Sequence, residues 1–198
     1  MTDVMEESEQ FEIRIAFRAD SGDPARVFSA MSGLIEAMQT LDRDLLSQFG
    51  VELQSEMYLE DVARGSLRAF FRNVVIDIPD EALESFEVRK IIGHFLLKAK
   101  YAFLRWAEEH EELESPSQLE SLEGELLEAA RETQVLRVPA YQPIRRERLV
   151  SVLRDISDAM RHLEDGDRAD YLSTAGNAAI RGNLAVSEDT IRELLTRD

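Results

Sequence analysis

The chain has 198 residues, 40 of them acidic and 23 basic, for a formal charge of −17, and 44% of it is hydrophobic. That composition excludes a mainly disordered polymer, and the surplus of carboxylates excludes wrapping a nucleic acid with the whole surface, because phosphate must be met by cations. No cysteine is present, which removes disulfides, thiolate chemistry and Cys-based zinc sites, and no run reaches the roughly 18 apolar residues of a membrane span.

Met1 to Gln10 is acidic and polar and lacks the basic-then-apolar order of a signal peptide, so a disordered leader and a cytoplasmic location are expected. Phe11, Ile13, Ile15 and Phe17 alternate with Glu12, Arg14, Ala16 and Arg18, the period of a half-buried strand. Asp23 is placed to cap a helix that Pro24 opens and Gly50 stops. Its apolar positions Val27, Met31, Leu34, Met38, Leu41 and Leu45 recur at spacings of four and three, and Phe28, Ile35 and Leu46 widen that seam to a face that covers a sheet. From Val51 to Pro79 two strands are expected. Val51, Leu53, Met57 and Leu59 alternate with polar residues in the first. Leu67, Ala69 and Phe71 alternate with arginines in the second, and Asp61 to Ser66 turns between them at Gly65.

After a short turn at 81–87, a long helix is expected to reach about Leu113, where Ser115-Pro116-Ser117 interrupts. A third helix spans about 118–132, and Val135 to Pro143, with two prolines, reads as an extended crossing segment. A fourth helix covers 144–163. Tyr171-Leu172-Ser173 and Ala178 to Val186, around Gly176-Asn177, form a second, alanine-weakened hairpin, and Ser187 caps a last short helix.

The fold expected is α+β: a small antiparallel sheet packed by a long helix, then a mainly helical second half with a small C-terminal hairpin. Residues 11–79 form a strand–helix–hairpin module, and 80–198 a mainly helical region packed on it as one compact unit. Phe11, Ile13, Ile15, Phe17, Leu34, Met38, Leu53 and Leu59 are the expected shared core. The helices at 24–49 and 87–113 offer more apolar surface than three strands cover, so a homo-oligomer or a larger partner is expected.

Candidate chemistry is sparse. His110 sits among glutamates, but its helical neighbours at three and four residues include one carboxylate only, Glu114. Asp165 to Asp170 departs from a calcium loop, which requires glycine where Asp170 stands and a bidentate glutamate where Gly176 stands. Neither a hydrolase elbow nor a glycine-rich phosphate loop occurs, so no catalytic, cofactor or metal residue is assigned. One stretch departs from the acidic background. Val88 to Trp106 contains no acidic residue and carries +5, leaving −22 for the rest of the chain. At 100° per residue, Lys90, His94, Lys98, Tyr101 and Arg105 fall in one narrow arc, opposite Val88, Ile91, Ile92, Phe95, Ala99, Ala102, Phe103 and Trp106. That basic stripe is the interaction candidate. It lies against the chain's own acidic helices or those of a second copy, forms a solvated face, or receives a phosphate group.

The run Val62-Ala63-Arg64-Gly65-Ser66-Leu67-Arg68, between two strands and after a strand and helix, resembles small accessory domains of bacterial conflict and defence systems, in which such a module recruits or tethers an effector. The resemblance covers residues 11–79 and carries no catalytic residues. It implies a bacterial or phage origin and a protein-binding role. The first expectation is therefore a non-enzymatic interaction or assembly subunit without a cofactor, bound to a protein partner or to copies of itself rather than to nucleic acid. The alternatives are an acidic inhibitor that mimics nucleic acid, which needs carboxylates in a contiguous, phosphate-like array, and an enzyme of unrecognised type.

Overall fold

The computed structural model describes residues 10–18, 22–49, 54–63, 66–76, 86–137, 142–182 and 184–195. Outside these lie residues 1–9 of the leader expected at 1–10, Leu53, the turn glycine Gly65, residues 81–85 of the short turn expected at 81–87, and Val138 to Tyr141; the side chain of Leu59 is outside as well, while Gln10 is in a strand and 86–87 are helical.

The first strand, β1, spans Gln10–Ala16, and Phe17, expected in the core, falls just past it with 39% of its surface exposed. Helix α1 spans Ala25–Leu46, and the Asp23 carboxylate accepts the Ala25 N–H at 2.9 Å, so Asp23 caps the helix entry as its residue type predicts. All six seam residues from Val27 to Leu45 are buried, whereas Phe28 is 66% exposed and does not widen the buried face. Strands β2 (Gln54–Ala63) and β3 (Leu67–Ile76) form the hairpin. The strands continue into the segment expected to turn, because a bulge between Leu59 and Asp61 resets the register: Leu59 is opposite Phe71 before it, and Val62 is opposite Ala69 after it.

Helix α2, Phe86–Glu109, ends four residues before the expected Leu113. The chain instead forms β4, Glu112–Leu113, which pairs in parallel with β7, Ala185–Val186. Leu113 is fully buried there, and the amides of Ala185 and Ser187 donate to the carbonyls of Glu111 and Leu113. Burial of that leucine and pairing of its backbone outweigh continuation of the helix. Helices α3 (Leu119–Glu132) and α4 (Arg146–Met160) follow, both amphipathic, with a single 3-10 turn at Val135–Arg137 where an extended crossing was expected. Helix α5, Glu188–Leu195, is capped by Ser187, whose Oγ accepts the Thr190 N–H at 3.1 Å.

The C-terminal hairpin, β5 (Arg168–Ser173) and β6 (Gly176–Ile180), does more than stand beside the first module. It joins the same antiparallel sheet, whose five strands run in the order β2-β3-β1-β5-β6. Strand β1 is therefore central, with Ile13 opposite Ala69 on one side and Tyr171 on the other. A boundary near residue 80 does not divide this sheet, and the expected second strand of the hairpin stops at Ile180 rather than Val186.

One face of the sheet is apolar. Phe11 stacks on Phe71 and on Tyr171 at 5.2 and 5.4 Å between ring centres, with Ile13, Ile15, Ala69, Ala169, Ala178 and Ile180 buried around them. Helices α1 and α2 lie on this face; α4 packs along α1 and α3 along α2. The α1–α4 crossing is close because Gly33 has no side chain: a Cβ there would come within 2.7 Å of the Ala159 Cβ. Two extra strands and two outer helices thus cover much of the apolar surface of α1 and α2, with Phe28 left exposed. No described helix is long and apolar enough to cross a membrane.

Candidate functional site

The basic stripe of α2 faces α3 and the turn of the β5–β6 hairpin, and its members differ in what they touch. Lys98 forms an ion pair with Glu132 near the end of α3. The Tyr101 ring lies over Gly176, where φ is +148° and a Cβ would come within 2.5 Å of the ring, so the glycine is required both by the backbone and by the close approach. Arg105 donates to the Tyr101 hydroxyl at 3.3 Å and to Glu109 at 3.4 Å. Lys90 and His94, at the start of the stripe, have no carboxylate partner among the described residues. Burial, and then the charges of Lys90 and Lys98, hold the His94 imidazole below its ordinary pKa.

Two adjoining hollows, about 580 and 410 Å³, run along the stripe and share Lys98, Glu132 and Ala175. The larger is bordered by Lys90, His94 and Lys98 with Thr133, Gln134 and Thr174. The smaller has Tyr101, Arg105 and Glu109 of α2 on one wall and Glu125 and Glu128 of α3 on the other. Burial, then the neighbouring Glu109, raises the Glu125 carboxyl. The groove therefore has a cationic end and an end where carboxylates crowd.

The opposite, outer face of the sheet carries the exposed side of the first hairpin. Glu12 on β1 accepts from Arg14 Nε at 2.8 Å and from Arg68 Nε and Nη2 at 2.6 and 3.0 Å. The hydrogen bond from Arg68 is the main reason that the Glu12 carboxyl is held below the usual range; burial opposes it and Arg14 adds to it. The Arg68 guanidinium also lies 5.1 Å from the centre of the Phe70 ring. Arg72, also on β3, stands opposite Gln10 and Tyr58, so these arginines lie on two adjacent strands. At the margins Tyr58 donates to Glu56, and Arg168 pairs with Asp170. Both helices that contact the sheet do so on its other face, so among the described residues this surface has no helix across it.

A further pair of charges lies in the core. Lys100 of α2 is fully buried, its Nζ 2.6 Å from Asp42 Oδ1 of α1 and 4.8 Å from the centre of the Phe11 ring. Burial pushes the Lys100 amine below its ordinary pKa and the Asp42 charge opposes that shift. Beside it the buried Tyr171 hydroxyl, raised by burial, donates to the Leu97 carbonyl at 3.3 Å. Lys100 contributes to the charge of the basic helix but does not belong to its stripe. The signal was present in sequence: Lys100 and Asp42 each stand four residues after a core position, Leu96 and Met38, on the buried arcs of two apolar-faced helices. With no exposure, the amine meets no substrate in this state.

The remaining polar clusters have structural partners. Asp167, in the run that departs from a calcium loop, accepts the Arg18 N–H, the Glu164 N–H and the Arg26 Nε–H, tying the start of β5 to α1. His110 stacks on Trp106 with ring centres 4.0 Å apart. Among the described residues no group of three or more His, Asp or Glu is placed to hold a metal ion. No protein-family model, curated protein or solved structure matches this chain.

Proposed function

We propose that the protein is a non-enzymatic interaction or assembly subunit that docks a partner protein on the outer face of its sheet. One observation carries this: Arg14 and Arg68 bond Glu12 beside Phe70, with Arg72 farther along β3, on a face that no described helix covers. Arginine and aromatic side chains are the residues that anchor protein interfaces, and a guanidinium already bonded to Glu12 keeps further N–H donors for a second acceptor. Glu12 holds the two arginines extended in advance, which lowers the ordering cost of binding. The occupant that fits is a protein surface presenting carboxylates. The resemblance of Val62 to Arg68 to accessory domains of bacterial defence systems supports an assembly of that kind in the cytoplasm. Mimicry of nucleic acid finds less support, because four of the five carboxylates of α3 are engaged: Glu123 and Glu120 with Arg146, Glu128 with Arg131, and Glu132 with Lys98.

The test is isolation of the chain from its native cells, followed by reconstitution with the purified partner and calorimetric titration. A stoichiometric complex is expected, weakened about tenfold or more by Arg68→Glu with Phe70→Ala and weakened further by salt. Equal affinity of the variant would remove the sheet face from the proposal. Recovery of the chain with no stoichiometric partner would overturn the function.

A further inference from the structure

The cationic end of the α2–α3 groove has a chemistry of its own, separate from the sheet face. Lys90, His94 and Lys98 follow one another at four-residue spacing along α2, so the three basic side chains line one face of the helix. One carboxylate, Glu132, answers these three basic groups among the described residues, and it engages Lys98. The hollow they border is about 580 Å³ and adds the side chains of Thr133, Gln134 and Thr174 as neutral hydrogen-bonding groups. Thr133 already donates its hydroxyl hydrogen to the Ala129 carbonyl at 2.7 Å, so Thr174 and Gln134 are the neutral donors at hand.

We propose that this hollow is a binding site for a small oxyanion, a phosphate or carboxylate group, held by Lys90, His94 and Lys98. An anion there meets the positive field of the two lysines and forms charge-assisted hydrogen bonds to both ammonium groups. It also changes the state of the imidazole. In the free protein burial, and then the charges of Lys90 and Lys98, disfavour protonation of His94. Among the described residues the other charged group that borders it is Glu132 from α3; the hairpin turn contributes Thr174 and Ala175, which do not titrate. A bound oxyanion reverses the local field, His94 takes up a proton, and the site gains a third cationic donor. Binding and protonation are therefore linked: affinity rises as pH falls through the bound-state pKa of His94 and levels off below its free-state pKa.

The experiment is an NMR titration of the His94 ring in the full chain with inorganic phosphate, and separately with acetate, at constant ionic strength. A saturable shift is expected, with the His94 pKa raised by about 1 pH unit or more at saturation. Lys90→Gln should weaken that binding about tenfold, and Arg161→Gln on the exposed side of α4 should not change it. Saturation by phosphate alone assigns a phosphate-bearing ligand, and saturation by both assigns carboxylates as well. A response that never saturates, or one that is the same in Lys90→Gln with its spectrum otherwise native, overturns the site.

Discussion

Lys100→Met retains the length of the side chain and removes its charge, leaving Asp42 ionised among apolar side chains with only 3% of its own side chain exposed. At 2.6 Å the lost attraction is about 6 kcal/mol for an effective dielectric of about 20, while desolvation of the pair costs several kcal/mol per ion. The intact pair is therefore near break-even, and half of it is not. Urea denaturation at neutral pH should show a loss of about 3–5 kcal/mol for Lys100→Met and a similar loss for Asp42→Leu. The double variant Asp42→Leu/Lys100→Met should lie within about 1–2 kcal/mol of wild type or above it, since two apolar side chains replace two buried charges. The Asp42 carboxylate, deprived of Lys100 in Lys100→Met, adds a pH signature. Burial raises its folded pKa, so the folded state binds the extra proton and the deficit against wild type narrows as pH falls through that raised value. Single losses below about 1 kcal/mol, or a double variant equal to their sum, would refute the view that these residues act as one buried pair.

Two further outcomes follow from geometry. Gly33→Val forces branched methyl groups into the α1–α4 contact, where a Cβ alone would come within 2.7 Å of Ala159. Thermal unfolding should show a loss of about 1–3 kcal/mol, partly restored by Ala159→Gly, and an unchanged Tm in Gly33→Val would mean the crossing is looser than described. Glu12 and Asp167 both have lowered pKa values. Hydrogen bonding from Arg68 does this for Glu12; for Asp167, burial alone would raise the carboxyl, and the N–H groups of Glu164 and Arg18 together with Arg26 outweigh it. Their stabilisation is present above the unfolded values, 4.5 and 3.8, and is lost as pH falls through the lower folded ones. The fall in Tm from about pH 6 downward should be shallower in Glu12→Gln than in wild type; parallel curves would show that Glu12 contributes no linkage.

Periodicity was enough to place most elements. The four-and-three spacing from Val27 to Leu45 marks the buried arc of α1, and alternation at Phe11, Ile13 and Ile15 marks the buried side of β1. Cap residues located the starts of α1 and α5. These signals are local because the repeat of a helix or strand is set by its own backbone geometry. Of the candidate stripe, the arc from Lys90 to Arg105 was legible for the same reason. Its partners were not, since nothing in α2 itself specifies that Glu132 lies beside Lys98 or that a glycine turn receives Tyr101.

Tertiary structure decided the rest. Alternation shows that β1 has one buried face but is silent about which strands flank it, and the alanines at 178 and 179 give β6 little strand propensity of its own. Pairing of β5 with β1 makes the hairpin part of the main sheet and covers apolar helix surface that three strands would have left open. The same closure determined the meaning of two charges. In sequence Lys100 is one of five cations on a basic helix and Asp42 one of many acids. Only when α1 and α2 lie side by side under Phe11 and Tyr171 does each become the other's counter-ion, because a charge removed from water must find its opposite within hydrogen-bonding distance.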